Sequence, residues 1–229
     1  MSKVGSAAII VSAAAVALLT PDVAKASDSQ VWTGAGVTVK LSPRWSLSQD
    51  VTARFSDNRH GPYELEANSL VGFHVSKGVT LWAGYDHDPQ YSGGHFTIME
   101  HRLPQIVSFD NLGSIGPGHF SGRVRLEERW RDGRNGTAWR LRPYLRYTAP
   151  FSKNSKVALT MSEEPFFDLN TTSFQSVNGL ERLRSLIAIT TPVGKRLSAD
   201  VGYMNQHGFV PHGKDTSDNI AYLSIGLKL

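Results

Sequence analysis

Residues 123–131 carry a charge at every second position: Arg123, Arg125, Glu127, Arg129 and Arg131. Val124, Leu126 and Trp130 fall on the other parity. A turn rich in Gly, Asn and Asp follows at residues 132–136. A second run then sets Trp139, Leu141, Leu145 and Tyr147 against Arg140, Arg142 and Arg146. A period of two on both sides of such a turn is the pattern of a β-hairpin. This hairpin can belong to a soluble sheet whose charged face meets water, or to an inverted one, apolar outside and charged within. The rest of the chain has to decide between them.

The same alternation recurs. Period-2 runs are found at residues 31–41, 45–55, 63–75, 79–87, 96–109, 157–164, 177–190, 197–206 and 220–229, and no helical period of useful length interrupts them. With the two arms of the hairpin, this makes eleven runs. Single-chain bacterial barrels have even strand numbers. The reading is therefore an all-β, single closed antiparallel transmembrane β-barrel of 10–12 strands, with twelve preferred over ten, and the region around residues 95–119 is where a strand is missed or over-split. Pro104 lies inside one run and predicts a bulge or break there. The last run reaches the end of the sequence, as a barrel closed by its final strand requires.

Ahead of these runs, Lys3 precedes an apolar stretch at residues 7–19, and Ala24-Lys25-Ala26 has the small-x-small form of a cleavage site. The stretch is too short to span a membrane comfortably as a helix. Residues 1–26 read as a secretory signal peptide and residues 27–229 as one barrel domain. Hydrophobic residues make up 40% of the chain, too few for a helical membrane bundle but compatible with strands that face lipid with every second residue. There is no cysteine, so thiolate chemistry and disulfides are excluded. The net charge of +4 is too mild for a dedicated nucleic-acid binder.

A soluble β-sandwich also alternates. Three features favour the membrane instead. Connections vary in length, with short turns expected near residues 42–44, 76–78, 132–136, 152–155 and 192–196, and longer loops at 57–62, 89–94, 165–174 and 207–218. Aromatics (Trp32, Trp45, Tyr63, Phe73, Tyr85, Trp130, Trp139, Tyr147, Tyr203) sit near strand ends, where interfacial girdles would place them. Charges crowd onto one parity: Asp50, Arg54, Glu64, Glu66, Asp86, Glu100, Arg102, Arg123, Arg125, Glu127, Arg129, Arg140, Arg142, Arg146, Glu164, Arg182, Arg184 and Asp200. Enclosed in a barrel, these groups are expected to neutralise one another as Arg–carboxylate pairs, with Glu64, Glu66, Glu100, Glu127 and Glu164 as partners of the hairpin's arginines.

Several short motifs carry a family resemblance. They are Glu100-His101-Arg102 with Gln105, the Arg-x-Arg-Leu-Glu-x-Arg of residues 123–129, the partner strand with Arg140 and Arg142, Ser162-x-Glu164-x-Phe166, Gly202-Tyr203-Met204-Asn205-Gln206, and the early Trp32. In their order the chain resembles the bacterial family called domain of unknown function 2490, regarded as outer-membrane β-barrels. The one departure is Met204, where Leu is usual, a swap that conserves volume. The resemblance implies a fold and an outer-membrane location in a Gram-negative cell, with no activity and no catalytic residues.

Three functions remain open: a filled barrel with a structural or envelope role, a small channel, and an enzyme acting on lipid or lipopolysaccharide. The charged parity has more bases than acids, so a pore would mildly favour anions. Candidate catalytic groups are His87 beside Asp86 and Asp88, and His95 or His101 beside Glu100, with Ser92 or Ser108 as nucleophile. No Gly-x-Ser-x-Gly elbow accompanies them. Asp86, His87 and Asp88, or His207, His212 and Asp215, have no recognised metal spacing. The expectation is therefore no catalytic centre, metal or cofactor. Expected partners are outer-membrane lipid, lipopolysaccharide and the barrel-assembly machinery, with no nucleic acid and no oligomeric state specified.

Overall fold

A computed structural model describes residues 27–229, so the segment read as a signal peptide lies outside the described residues. Eleven strands form one closed barrel: β1 (Asp28–Lys40), β2 (Trp45–Ser56), β3 (Gly61–Ser76), β4 (Val79–Ser92), β5 (His95–Ile115), β6 (Gly118–Arg131), β7 (Ala138–Pro150), β8 (Ala158–Asp168), β9 (Gly179–Pro192), β10 (Leu197–Gly208) and β11 (Thr216–Lys228). Neighbours along the chain pair antiparallel. An odd number of alternating strands leaves the first and last pointing the same way, so β1 and β11 close the barrel in parallel, in register from Asp28↔Asp218 to Thr38↔Lys228. No strand is missing near residues 95–119. That region is the single long strand β5, with a register irregularity between Phe109 and Gly113. The count stays within the expected range, but even parity does not hold.

Pro104 does not break β5. The β4–β5 ladder keeps its register on both sides, from Ala83↔Gln105 to Asp86↔Arg102, and only the pairs between lapse, where proline has no N–H to give. Both mouths of the barrel have connections of mixed length. Residues 169–178 and 209–215 are the long ones at one mouth, here called the loop end. Residues 132–136, expected as a turn-side connection, also lie at the loop end, because β6 runs toward it.

The pleat sends alternate residues in and out. Leu47, Val51, Leu65, Val71, Leu81, Val124, Leu145, Ile187, Ile189, Val201, Leu223 and Ile225 form an exposed apolar outer wall. Glu163 is an exception on that wall and accepts a hydrogen bond from the Ser185 hydroxyl at 2.7 Å. Exposed Trp45 packs on Phe73 near the turn end, and Tyr85 and Tyr203 are exposed nearer the loop end. Trp32 and Tyr63 do not belong to these belts. Trp32 is 3% exposed and faces inward by parity. The irregularity between Arg54 and Phe55 leaves Tyr63 without a partner in the β2–β3 ladder, and its buried hydroxyl donates to Gln30 at 2.7 Å.

One side of the interior carries an apolar cluster. Trp32, Leu186, Ala188, Met204 and Ile220, with Tyr222 against them, line the wall made by β9, β10, β11 and β1. Gly202 lets β10 lie close to β9, since a Cβ there would sit 2.6 Å from the Cα of Ala188. At Gly226 only the Ser198 hydroxyl is near, at 3.7 Å. Gly202→Val is expected to cost about 1–3 kcal/mol through overpacking, read as a lower urea midpoint of the refolded protein. Gly226→Ala serves as the control and should leave the midpoint in place.

Candidate functional site: the charged interior

Opposite the apolar wall, strands β2 to β8 turn their charged parity inward. Four carboxylates, those of Asp86, Asp88, Glu100 and Glu127, are fully buried. The register alone sets like charges face to face: Asp88 opposite Glu100, Arg102 opposite Arg129, and Arg125 opposite Arg142. Such pairs repel. Other opposed pairs attract: Arg54 with Glu64, Arg102 with Asp86, Arg131 with Glu100 and Arg140 with Glu127. Further contacts along the strand or diagonally across the ladder share each carboxylate among several arginines.

Arg102 is one hub. Its Nε donates to Glu100 at 2.7 Å, Nη1 to Asp86 at 3.3 Å, and Nη2 to Asp88. Glu66 and Glu64 lie 3.5 and 3.7 Å away. Arg54 bridges Glu64 and Glu66 and lies over the Trp32 ring at 4.4 Å. Glu100 also accepts from Arg129 at 2.9 Å and Arg131 at 2.5 Å. Glu127 is the second hub, accepting from Arg140 at 2.8 Å and Arg142 at 2.7 Å. Arg125 Nε is also 2.7 Å from Glu127 but is not aligned for a hydrogen bond; its Nη2 donates to Asp86 at 3.0 Å. Arg142 and Arg123 then reach Glu164 at 3.1 and 3.0 Å.

Of the arginines and glutamates singled out from sequence, Glu64, Glu66, Glu100, Arg102, Arg123, Arg125, Glu127, Arg129, Arg140, Arg142 and Glu164 are thus brought into one connected cluster. Glu64 and Glu66 serve Arg54 and Arg102, however, and not the arginines of the β6–β7 hairpin. Arg146 stands apart toward the turn end, paired with Asp200 at 3.1 Å. Arg182 pairs with its neighbour Glu181 at 2.8 Å, and Arg184 has no carboxylate partner among the described residues.

Two acids in the interior were not anticipated there. Asp88 was considered only as a companion of His87, and Glu181 turns inward through the irregularity between Phe166 and Phe167. Strand-end acids Asp28, Asp168 and Asp218 line the loop-end mouth as well. With these acids, and with Arg131 and Arg59 added to the bases, the base excess read from sequence is gone. Gln175 was also missed. It comes from the loop 169–178 yet is 4% exposed, accepts from Arg129 at 2.9 Å and donates to the Asn170 carbonyl at 2.8 Å. Its only sequence signal was an uncharged polar residue in a polar loop.

Two cavities enter the barrel. One of about 600 Å³ opens at the loop end and one of about 460 Å³ at the turn end. Arg54, Glu66, Arg142 and Arg184 line both, so these four side chains form the partition between them.

The candidate catalytic groups are separated by the pleat. Asp86, Asp88 and Glu100 are buried inside, whereas exposed His87 is on the outer wall and His101 stacks there on Trp130, with ring centroids 5.5 Å apart. His101 instead contacts the Tyr85 hydroxyl and, at 3.2 Å, Asp132. Ser108 accepts from the Trp82 indole at 3.0 Å, and Ser92 pairs with His95 at the loop end. Near that mouth, Asp215 accepts from the Val210 N–H at 3.0 Å and contacts His207 at 3.1 Å; these hydrogen bonds hold its carboxyl below the usual range. Among the described residues no three metal-ligating side chains converge.

Residues 29–217 match the protein family described as "Protein of unknown function (DUF2490)". An uncharacterized protein of Methylorubrum extorquens is 28% identical over 137 residues, which is 59% of this chain and 60% of that protein's length. The chain therefore spans less than two thirds of this curated relative. No solved structure matches the chain.

Removing one member of a buried ion network strands its partners. Arg142→Leu, which leaves Glu164 with Arg123 alone and takes one donor from Glu127, and Glu127→Gln, which strands Arg140, are each expected to destabilise the refolded protein by about 3–5 kcal/mol. Equilibrium unfolding in urea measures this, and an unchanged midpoint would show that the network does not hold the barrel together.

Proposed function

The chain belongs to the DUF2490 family of proteins of unknown function, and we propose that it is an outer-membrane β-barrel with a structural, envelope-related role and a closed interior. The partition carries this reading. Arg54, Glu66, Arg142 and Arg184 stand between the two cavities, each braced by ion pairs or aromatic rings, so moving any of them breaks buried contacts. The apolar outer wall supports a lipid-facing exterior. Outer-membrane lipid and lipopolysaccharide are then its surroundings, and the barrel-assembly machinery its route of insertion.

A small channel is the second reading, favoured by the fact that both cavities end on the same four side chains. The near balance of interior acids and bases removes the reason to expect anion preference from it. Catalysis on lipid has less support, because the pleat parts each histidine from its neighbouring carboxylate.

In planar lipid bilayers the refolded protein is expected to give no unitary conductance. Steady single-channel steps would favour the channel instead. In cells the protein should fractionate with the outer membrane and migrate on gels in a heat-modifiable way. Recovery in the soluble fraction would overturn the membrane assignment.

A further inference from the structure

The charge balance of the whole interior leaves a cation, Arg184, without an ion pair among the described residues. Around the Phe166 ring the guanidinium carbons of Arg142, Arg184, Arg140 and Arg182 lie 4.3, 4.5, 5.1 and 5.6 Å from the centroid. Arg140 and Arg142 share Glu127 with Arg125, Arg142 also holds Glu164, and Arg182 pairs with Glu181. Arg184 faces Glu164 across the β8–β9 ladder but forms no ion pair among the described residues. Its Nε donates to Gln206 at 2.9 Å, and its guanidinium lies between the rings of Trp32 and Phe166, 4.5 Å from each centroid. The two aromatic faces fix the orientation of this cation. No hydrogen bond to the protein engages its terminal nitrogens, and the residue lines the loop-end cavity.

Acceptors in the same cavity also lack donors. Asp168 Oδ1 and Glu181 Oε2 are buried without a hydrogen-bond partner, and both residues line its wall. Buried polar atoms of this kind are uncommon and call for a partner. A ligand that satisfies the whole wall must bring an anionic group for Arg184 and hydroxyl donors for the two carboxylates. The volume of about 600 Å³ suits a molecule of one or two sugar rings, within the roughly 300–1,000 Å³ of small-molecule sites.

We propose that the loop-end cavity binds a phosphorylated saccharide, its phosphate on Arg184 and Arg182 and its hydroxyls on Asp168 and Glu181. A guanidinium fork matches phosphate oxygens two at a time. The same chemistry is offered by a free sugar phosphate and by the phosphorylated sugars of lipopolysaccharide. The site takes its ligand from the loop-end mouth, so the partition beneath it need not open.

Calorimetric titration of the full chain in detergent tests this, using glucose 6-phosphate, inorganic phosphate, glucose and purified lipopolysaccharide in parallel. Glucose 6-phosphate is expected to bind more tightly than phosphate or glucose. Arg184→Gln should weaken it roughly tenfold or more, as loss of a charge-assisted hydrogen bond does. Asp168→Ala should weaken the sugar phosphate while leaving inorganic phosphate unchanged. Arg182→Gln serves as the second cation variant if Arg184→Gln does not refold. Lipopolysaccharide that binds and is displaced by glucose 6-phosphate identifies the lipid-borne sugar as the source; glucose 6-phosphate binding without lipopolysaccharide binding identifies the free one. The proposal is overturned if neither binds, if phosphate or glucose binds as tightly as glucose 6-phosphate, or if the arginine variant that refolds keeps wild-type affinity. A null titration leaves the closed interior and its lack of conductance standing, because those rest on bilayer recording.

Discussion

Burying an ion is the dominant electrostatic cost in this fold, and the shared carboxylates of the interior are what offset it. Two charges taken from water are stabilised only if their geometry is close and their remaining hydrogen-bonding capacity is met. Glu100 meets Arg102 along its own strand and Arg129 and Arg131 on the next, and Glu127 meets Arg140 and Arg142 on its neighbour, all through short contacts. Sharing goes beyond one-to-one pairing because the register sets some arginines against a carboxylate and others, such as Arg102 and Arg129, against each other. A slip of one residue would turn the arginines and glutamates toward the outside and the valines and leucines inward. The charge network and the register of β2 to β8 are therefore one specification, and neither survives without the other.

The remaining wall follows a different rule. From β9 round to β1 the interior holds the apolar cluster, and this is also where the chain closes on itself in parallel. Trp32 joins the two halves. Its indole donates to Gln30 at 2.8 Å, and its ring lies against both Arg54 and Arg184. The Gly202-to-Gln206 motif acquires a physical meaning here. Gly202 allows the close approach of β9, Met204 packs in the apolar cluster, and Gln206 holds Arg184, while Tyr203 and Asn205 alternate away. A barrel with one charged wall and one apolar wall can keep a cation such as Arg184 at their border, where aromatic rings replace a counter-charge.

Much of this architecture was legible from residues alone. The hairpin of β6 and β7, the inward parity of its arginines and the other nine strands all follow from a period of two, which is a local property. The even parity expected of the barrel was not local. Nothing in a strand records how many others it will close with, and a parallel seam satisfies backbone hydrogen bonds as an antiparallel one does. Trp32 and Tyr63 were misassigned for a related reason. An aromatic near a strand end serves an interfacial belt or a filled interior equally well, and for Tyr63 a register irregularity decided which.

The alternation of charged and apolar residues by itself determined that this chain forms amphipathic strands with one charged and one apolar face, since a one-residue slip would turn every charge to the apolar side. Which charges meet was decided only by the tertiary structure. Cross-strand contacts depend on register summed around the barrel, so Asp88 joined Arg102, the loop residue Gln175 joined Arg129, and Arg184 was left between two rings with no acid to meet it. The sequence lists how many arginines and carboxylates there are, but closure of the barrel sets the distances between them, and Coulomb interactions follow distance.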